Sequence, residues 1–282
     1  MSTAKENISA LRSEMQKAGV SVYIVPTSDF HDSEYVCPYF AARRFLSGFT
    51  GSAGTLVVSE KEAALFTDGR YFIQAEKELS GSGITLMRIG EEGVPTVREY
   101  AENILPNGGN IGFDGRVVTA AAGEKYSAIA EKKSGKVVCD IDLADNIWTD
   151  RPSLVHTEIY VLEECYSGRS AAEKLSDVRK KLSEKNAAAH VMTALDDISW
   201  LFNIRADDIE HCPMVLSYTV ITADKAVLFA DESACGWIVR EYLEKNGVEI
   251  RPYDEIYSYA EKLTGRVMLD KKRVNYRLFG IL

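Results

Sequence analysis

Thr55-Leu56-Val57-Val58-Ser59-Glu60-Lys61-Glu62-Ala63-Ala64-Leu65-Phe66-Thr67-Asp68 is a pair of apolar runs around a charged triplet. The pattern predicts a β-hairpin with strands at residues 55–59 and 63–67. A second hairpin is predicted at residues 215–221 and 225–230, turning at Thr222-Ala223-Asp224. The exits correspond, Leu65-Phe66-Thr67-Asp68 against Leu228-Phe229-Ala230-Asp231, and each feeds an amphipathic helix. Outward from the first hairpin, periodicity predicts a helix at 5–17 closed by Gly19 and a strand at 20–25 stopping at Pro26. Residues 29–54 read as irregular. After the hairpin come a helix at 71–79, strand 84–89, helix 95–104, strand 110–113, helix 120–132 and strand 136–141. The second half predicts helix 170–185, strand 189–193, a short helix at 196–202, the hairpin, helix 234–245, strand 248–251, helix 254–263 and strand 266–269.

Helix, strand, hairpin, helix, strand, helix, strand thus occurs twice, and a repeated order marks where domains divide. Thr149-Asp150-Arg151-Pro152-Ser153 and Tyr166-Ser167-Gly168-Arg169-Ser170 have connector composition. The expected fold is α/β, two tandem domains at residues 1–155 and 156–282, with mixed sheets because hairpins adjoin helix-crossed strands.

A length of 282 residues exceeds one ordinary domain, and 46% hydrophobic with 27% charged residues leaves ample material for cores. The net charge of -9 opposes broad attraction to nucleic acid or anionic lipid. No apolar run approaches a membrane span, and the N-terminal residues contain no signal-peptide core, so the expected compartment is the cytoplasm. Five scattered cysteines without a C-x-x-C pair suggest reduced thiols rather than disulfides or a zinc knuckle.

Four stretches call for a chemical reading. Gly48-Phe49-Thr50-Gly51-Ser52-Ala53-Gly54 has no G-x-G-x-x-G register, no P-loop lysine and no nucleophile-elbow spacing, so a tight, close-packed loop is expected. His31-Asp32-Ser33-Glu34 groups an imidazole with two carboxylates, yet His156, His190 and His211 form no ligand pattern with it. His31 reads as a surface hydrogen-bonded residue. Asp196-Asp197 reads as a helix N-cap with first-turn charge and Asp207-Asp208 as a turn, since adjacent residues do not share a helix face. Asp68-Gly69-Arg70-Tyr71-Phe72 lies between a strand and a helix, where α/β folds expose side chains to ligands. The plain alternative is that Asp68 caps the helix and Arg70 is solvated.

These same stretches carry a family resemblance. Ile24-Val25-Pro26, His31-Asp32-Ser33-Glu34-Tyr35, the run from Arg43-Arg44-Phe45 through Gly54, and Thr67-Asp68-Gly69-Arg70-Tyr71-Phe72 resemble the first domain of the Xaa-Pro aminopeptidase family. Ile147-Trp148-Thr149-Asp150-Arg151-Pro152 resembles the segment that ends it. Residues 193–205 and Pro213-Met214-Val215-Leu216-Ser217-Tyr218 resemble the second domain of the three-domain, cytosolic form. The resemblance implies a creatinase/prolidase-type, ribonuclease-H-like fold used twice, followed in the family by a pita-bread metallopeptidase domain. That domain holds two divalent ions, usually manganese, through two Asp, one His and two Glu, and its motifs do not occur in this chain. The apolar end Arg277-Leu278-Phe279-Gly280-Ile281-Leu282 accordingly reads as an interruption. By resemblance, the two domains contribute substrate access, dimer contacts within a homodimer, and one peptide-binding side chain, Arg70. A free-standing binding module without activity is the alternative. Cys212 stands before Pro213 where the family commonly has Asn.

Overall fold

Thr3 accepts a hydrogen bond from the Glu6 amide while the Glu6 carboxylate accepts one from the Thr3 amide. This capping box satisfies N–H groups that any helix start leaves open, and it launches α1 (Ala4–Lys17). The computed structural model describes residues 3–282. After α1, which buries Ile8, Leu11 and Met15 on one stripe, come β1 (Val22–Pro26), α2 (Ala42–Ser47), the hairpin β2 (Thr55–Ser59) and β3 (Ala63–Thr67), and α3 (Phe72–Glu78). Then follow β4 (Thr85–Arg88), α4 (Val97–Ile104), β5 (Ile111–Gly112), α5 (Ala120–Lys132) and β6 (Val137–Val138). The sheet runs β4-β3-β2-β1-β5-β6. Its β1–β2 and β2–β3 pairs are antiparallel and its β3–β4, β1–β5 and β5–β6 pairs parallel, so it is mixed. Leu11, Tyr23, Leu46, Phe49, Leu56 and Leu65 form the centre of its core.

The rest of the chain supplies β7 (Tyr160–Val161), α6 (Glu164–Ser167), α7 (Ala171–Glu184), β8 (Ala189–Met192), α8 (Leu195–Phe202), β9 (Ile204–Arg205), β10 (Tyr218–Thr222) and β11 (Ala226–Ala230). It ends with α9 (Trp237–Lys245), β12 (Val248–Pro252), α10 (Glu255–Ala260), β13 (Val267–Met268) and α11 (Tyr276–Ile281). The main sheet, β12-β11-β10-β8-β13, repeats the order and the parallel and antiparallel senses of β4-β3-β2-β1-β5. Leu175, Ile198, Phe202, Leu228 and Leu243 lie in its core.

The repeat extends to single hydrogen bonds. Ser170 and Glu173 form the same capping box at α7. Arg12 Nε donates to the Ser59 carbonyl at 2.8 Å, and Arg179 Nε to the Thr222 carbonyl at 3.3 Å, each tying the first helix to the hairpin. The caps Thr3 and Ser170 are 167 positions apart, and so are Val22 and Ala189, which start the equivalent strands. Gly48 and Asn203, the left-handed residues that end α2 and α8, are only 155 apart. The first copy therefore carries twelve extra residues between β1 and α2. Part of that excess does not stay with the first copy: one unit comprises residues up to Phe30 with Pro38–Ser153, the other His31–Cys37 with Leu154–Leu282.

The two compact units meet at Ser153/Leu154, with residues 31–37 grouped in the second. Nothing in their composition announces it; the partners are long-range. Helix α2 lies inside the stretch read as irregular, and α6, α11, β7 and β9 also went unpredicted. Each has six residues or fewer, too short to display a period. Among the described residues, no helix is long and apolar enough to cross a membrane.

Candidate functional site

At the end of β3 the Thr67 hydroxyl donates to the Ala53 carbonyl at 2.7 Å, fastening the strand exit to the glycine-rich loop. The chain then turns through Asp68-Gly69-Arg70. One Asp68 carboxylate oxygen accepts from the Arg70 amide at 3.1 Å and from Arg70 Nε at 2.9 Å, and the other accepts from Arg70 Nη2 at 2.9 Å. Asp68 thus closes a side-chain turn on the backbone and clamps the guanidinium bidentately. Hydrogen bonding from Arg70 holds the Asp68 carboxyl down to about 2. The expected helix cap is not what Asp68 does: the residue preceding α3 is Tyr71, with no side-chain cap bond. The turn takes up the carboxylate instead.

Arg70 is 68% exposed, so its ion pair contributes only about 0.2–1 kcal/mol. Its guanidinium carbon lies 5.2 Å from the centroid of the Tyr71 ring. Tyr71 is in turn fixed: its hydroxyl and Ser52 Oγ are 2.6 Å apart, and its ring meets Phe49 edge-on at 5.9 Å. A Cβ on Gly51 would fall 2.2 Å from Phe49 Cζ and 2.8 Å from Tyr71 Cδ1. Only glycine lets these rings close on the loop backbone.

Under the loop lies Arg43, 4% exposed. It donates to the Phe49 carbonyl at 2.6 Å, the Gly51 carbonyl at 2.5 Å and Thr27 Oγ1 at 2.9 Å, and stands 4.8 Å from the Phe49 ring centroid. Burial, with Arg44 adding repulsion, pulls its pKa down to about 10. Glu78 accepts from the Thr50 amide at 2.8 Å, the Thr50 hydroxyl at 2.7 Å and Gln74 Nε2 at 3.0 Å. Burial acts to raise the Glu78 carboxyl, but these donors together outweigh it and the net shift is downward. The loop is a rigid bed for Tyr71 and Arg70.

The second copy of the fold separates what this turn needs from what it carries. At the equivalent exit of β11, Asp231 accepts from the Ser233 amide at 2.7 Å and the Ser233 hydroxyl at 2.5 Å. The carboxylate-closed turn is therefore common to both copies and forms with serine in the third position. The guanidinium belongs to the first copy alone.

Comparison with known proteins follows the same division. Residues 7–144 and residues 150–282 each match a family model described as the creatinase/prolidase N-terminal domain. The chain belongs to this family, twice over. The creatinase/prolidase N-terminal pair is 38% identical over 98% of its length to aminopeptidase P2 of Arabidopsis thaliana, covering 40% of that protein. It is 42% identical over 92% of its length to a Sordaria macrospora protein described as "Probable Xaa-Pro aminopeptidase P", covering 42% of it. Its structure aligns over its whole length with X-prolyl aminopeptidase from Caenorhabditis elegans, described as a cytosolic enzyme with a di-nuclear active site. The TM-score is 0.93, the identity 34%, and 49% of that chain is covered. The pair thus spans less than half the length of these relatives.

Other residues of the pair resolve into structure. Among the described residues, no group of three or more His, Cys, Asp or Glu is arranged to hold a metal ion. A di-nuclear centre does not fit the donors present, and no step through metal ions is assigned to them. His31 is not at the surface: it is 1% exposed, with Nδ1 2.9 Å from the Thr193 carbonyl and Nε2 2.6 Å from the Tyr253 hydroxyl. Those partners are 162 and 222 residues away, beyond local reading. Asp196 and Asp197 do lie in the first turn of α8, but the N-cap is Ala194 with no side-chain bond. Asp208 is a buried brace, accepting from the Thr157 amide at 2.6 Å and the Leu216 amide at 2.8 Å. All five cysteines are free thiols. One constellation was missed, a second Asp-Gly-Arg at residues 114–116. There Arg116 Nε and Nη2 donate to Asp114 at 3.0 and 2.9 Å, in the bidentate manner of Arg70 on Asp68. The repeated tripeptide was the available signal.

Proposed function

We propose that this chain is the N-terminal, non-catalytic region of a metal-dependent Xaa-Pro aminopeptidase, an enzyme removing the first residue of peptides whose second residue is proline. In this reading the two domains govern substrate access and contribute to dimer contacts, and the full-length enzyme works in the cytoplasm as a homodimer. Catalysis belongs to a further domain carrying two divalent ions, with manganese the first metal to test. The observation that carries the reading is the similarity to aminopeptidases over 92–98% of this chain.

Arg70 is the proposed substrate-binding residue. What supports it is the comparison of Arg70 with Ser233: the turn forms without arginine, yet the first copy keeps an exposed guanidinium held in one orientation by Asp68. A fork of N–H donors suits a peptide carbonyl or carboxylate, which lysine would reproduce poorly. Lying away from the metals, Arg70 supplies mostly uniform binding. In the full-length enzyme Arg70→Ala is expected to raise KM about 10-fold or more with little loss of kcat, the effect of one charge-assisted hydrogen bond worth about 1.5–3 kcal/mol. An unchanged KM would overturn the assignment. The chain by itself, assayed on an Xaa-Pro peptide with added Mn²⁺, is expected to release nothing above the blank, because its described residues offer no ligand set to hold a water-activating cation. Turnover surviving repurification would overturn the non-catalytic reading.

A further inference from the structure

The first copy has twelve residues more than the second between β1 and α2, and seven residues of this stretch, His31–Cys37, form part of the second unit. Their anchor is the His31 ring. A carbonyl can only accept, so His31 Nδ1 carries a proton and donates to Thr193, while Nε2 pairs with the Tyr253 hydroxyl. Both ring nitrogens are used. Aromatic rings line its seat: Tyr218 at 4.4 Å and Tyr253 at 5.8 Å between centroids, with His156 a further 5.5 Å beyond Tyr253. Next along the segment, the Asp32 carbonyl accepts from Arg273 Nη1 at 3.1 Å, and its carboxylate lies 3.8 Å from the same guanidinium.

These contacts define one place in the fold. Thr193 directly follows β8 and Arg273 lies just beyond β13, two adjacent parallel strands. Carboxyl ends of parallel strands are where open α/β sheets take their ligands. At the same edge of the first copy, past β5, Asp114 pairs with Arg116, and Arg116 and Arg151 both lie against Asp142, at 3.7 and 2.6 Å. One copy closes this edge with ion pairs of its own, and the other closes it with a short peptide.

We infer that the second domain carries a peptide-binding site at the carboxyl ends of β8 and β13, that its ligand class is a short bent segment led by an imidazole, and that residues 31–37 are its occupant in cis. Thr193 and Tyr253 read the imidazole, and Arg273 reads the backbone carbonyl and acidic side chain that follow. A competing peptide has to reproduce these bonds against a tethered occupant whose effective concentration is about millimolar or higher. The site is independent of any role for Arg70.

The direct test replaces residues 31–37 of the full chain with a Gly/Ser linker of equal length and titrates it with a fluorescent peptide of the sequence of residues 28–40, Cys37 changed to Ser. Saturable binding is expected, weakened at least about 10-fold when the peptide's histidine is alanine, while the unmodified chain binds neither. Absence of binding by a folded linker variant, or equal binding by the unmodified chain, overturns the inference. If the variant does not fold, the unmodified chain decides. The amides of residues 31–37 should exchange with the second unit in a denaturant series, and the ¹⁵N shifts of His31 should report the Nδ1–H tautomer. Exchange with the first unit, or the other tautomer, overturns it.

Discussion

Arg43→Met tests whether the bed beneath Arg70 depends on one buried guanidinium. Methionine keeps the length and packing of the stem but withdraws every donor. The Thr27 hydroxyl retains a second partner, the Gly54 carbonyl at 3.0 Å, so its loss is small. The Phe49 and Gly51 carbonyls depend on Arg43 at 2.6 and 2.5 Å, and each buried acceptor left unmet costs about 1–3 kcal/mol. Contact with the Phe49 ring adds about 0.5–2 kcal/mol, partly offset because a cation no longer has to be desolvated. A net loss of about 3 kcal/mol is expected, which in a domain of this size lowers Tm by about 6–12 °C. Trp148 stacks on Phe45 in the first domain at 4.7 Å, while Trp200 and Trp237 belong to the second. In a Trp200→Phe/Trp237→Phe background, tryptophan fluorescence therefore follows the first domain alone during urea unfolding. Arg43→Lys, which keeps a donor, should recover part of the loss. A drop below about 1 kcal/mol for Arg43→Met would refute the claim that these carbonyls rely on it.

Gly51→Ala forces a methyl into the space of Phe49 Cζ and Tyr71 Cδ1, and overpacking of this kind costs about 1–3 kcal/mol or more. Unchanged stability in thermal melts would show that the two rings are free to part. Arg70→Ser, which copies the second domain, should lower Tm by no more than about 4 °C, since an exposed pair contributes at most about 1 kcal/mol. By NMR the Asp68 carboxyl should then titrate above its present value of about 2. Because that value lies below the ordinary carboxylate pKa of about 3.9, the stability from the pair is complete above it and disappears as pH falls through about 2. An Asp68 titration identical with and without Arg70 would contradict the clamp. Maleimide labelling should reach exposed Cys165 first and Cys235 last, because burial pushes the Cys235 thiol up to about 11; early modification of Cys235 counts against its burial. Chymotrypsin should nick α6 at Tyr166, which is 77% exposed, and the nicked chain should still elute as one particle, because His31–Cys37 and β7, which pairs with β9, hold the first fragment within the second unit; separation of the fragments in native buffer would refute this.

Legibility in the sequence followed the range of the forces involved. The hairpin at 55–59 and 63–67 and helix 120–132 were placed residue for residue, because two short apolar runs around a charged turn and a thirteen-residue helical run are local signals. Helix α2 was lost because six residues hold less than two turns, and its end at Gly48 had been assigned to the loop. Arg70 could be singled out because a charged glycine turn between strand and helix is visible in five letters. That Asp68 clamps it rather than capping α3 depends on turn geometry, which composition does not specify. His31 was misjudged as a surface residue because its neighbours in sequence are polar, while its environment is made by residues 162 and 222 positions further on. Periodicity carries no information over such distances.

The route of residues 31–37 also bears on how the protein is made. His31 leaves the ribosome 222 residues before Tyr253, an interval of about 11–44 s at roughly 5–20 residues per second. Once β6 is complete at Val138 the first domain has all its own strands, yet it trails an excursion whose seat has not been fully synthesised. The second domain, made last, cannot finish its sheet edge from its own residues and finds the missing piece already waiting on the chain ahead. A nascent product halted between the domains therefore leaves His31, buried in the finished protein, without the partners that bury it.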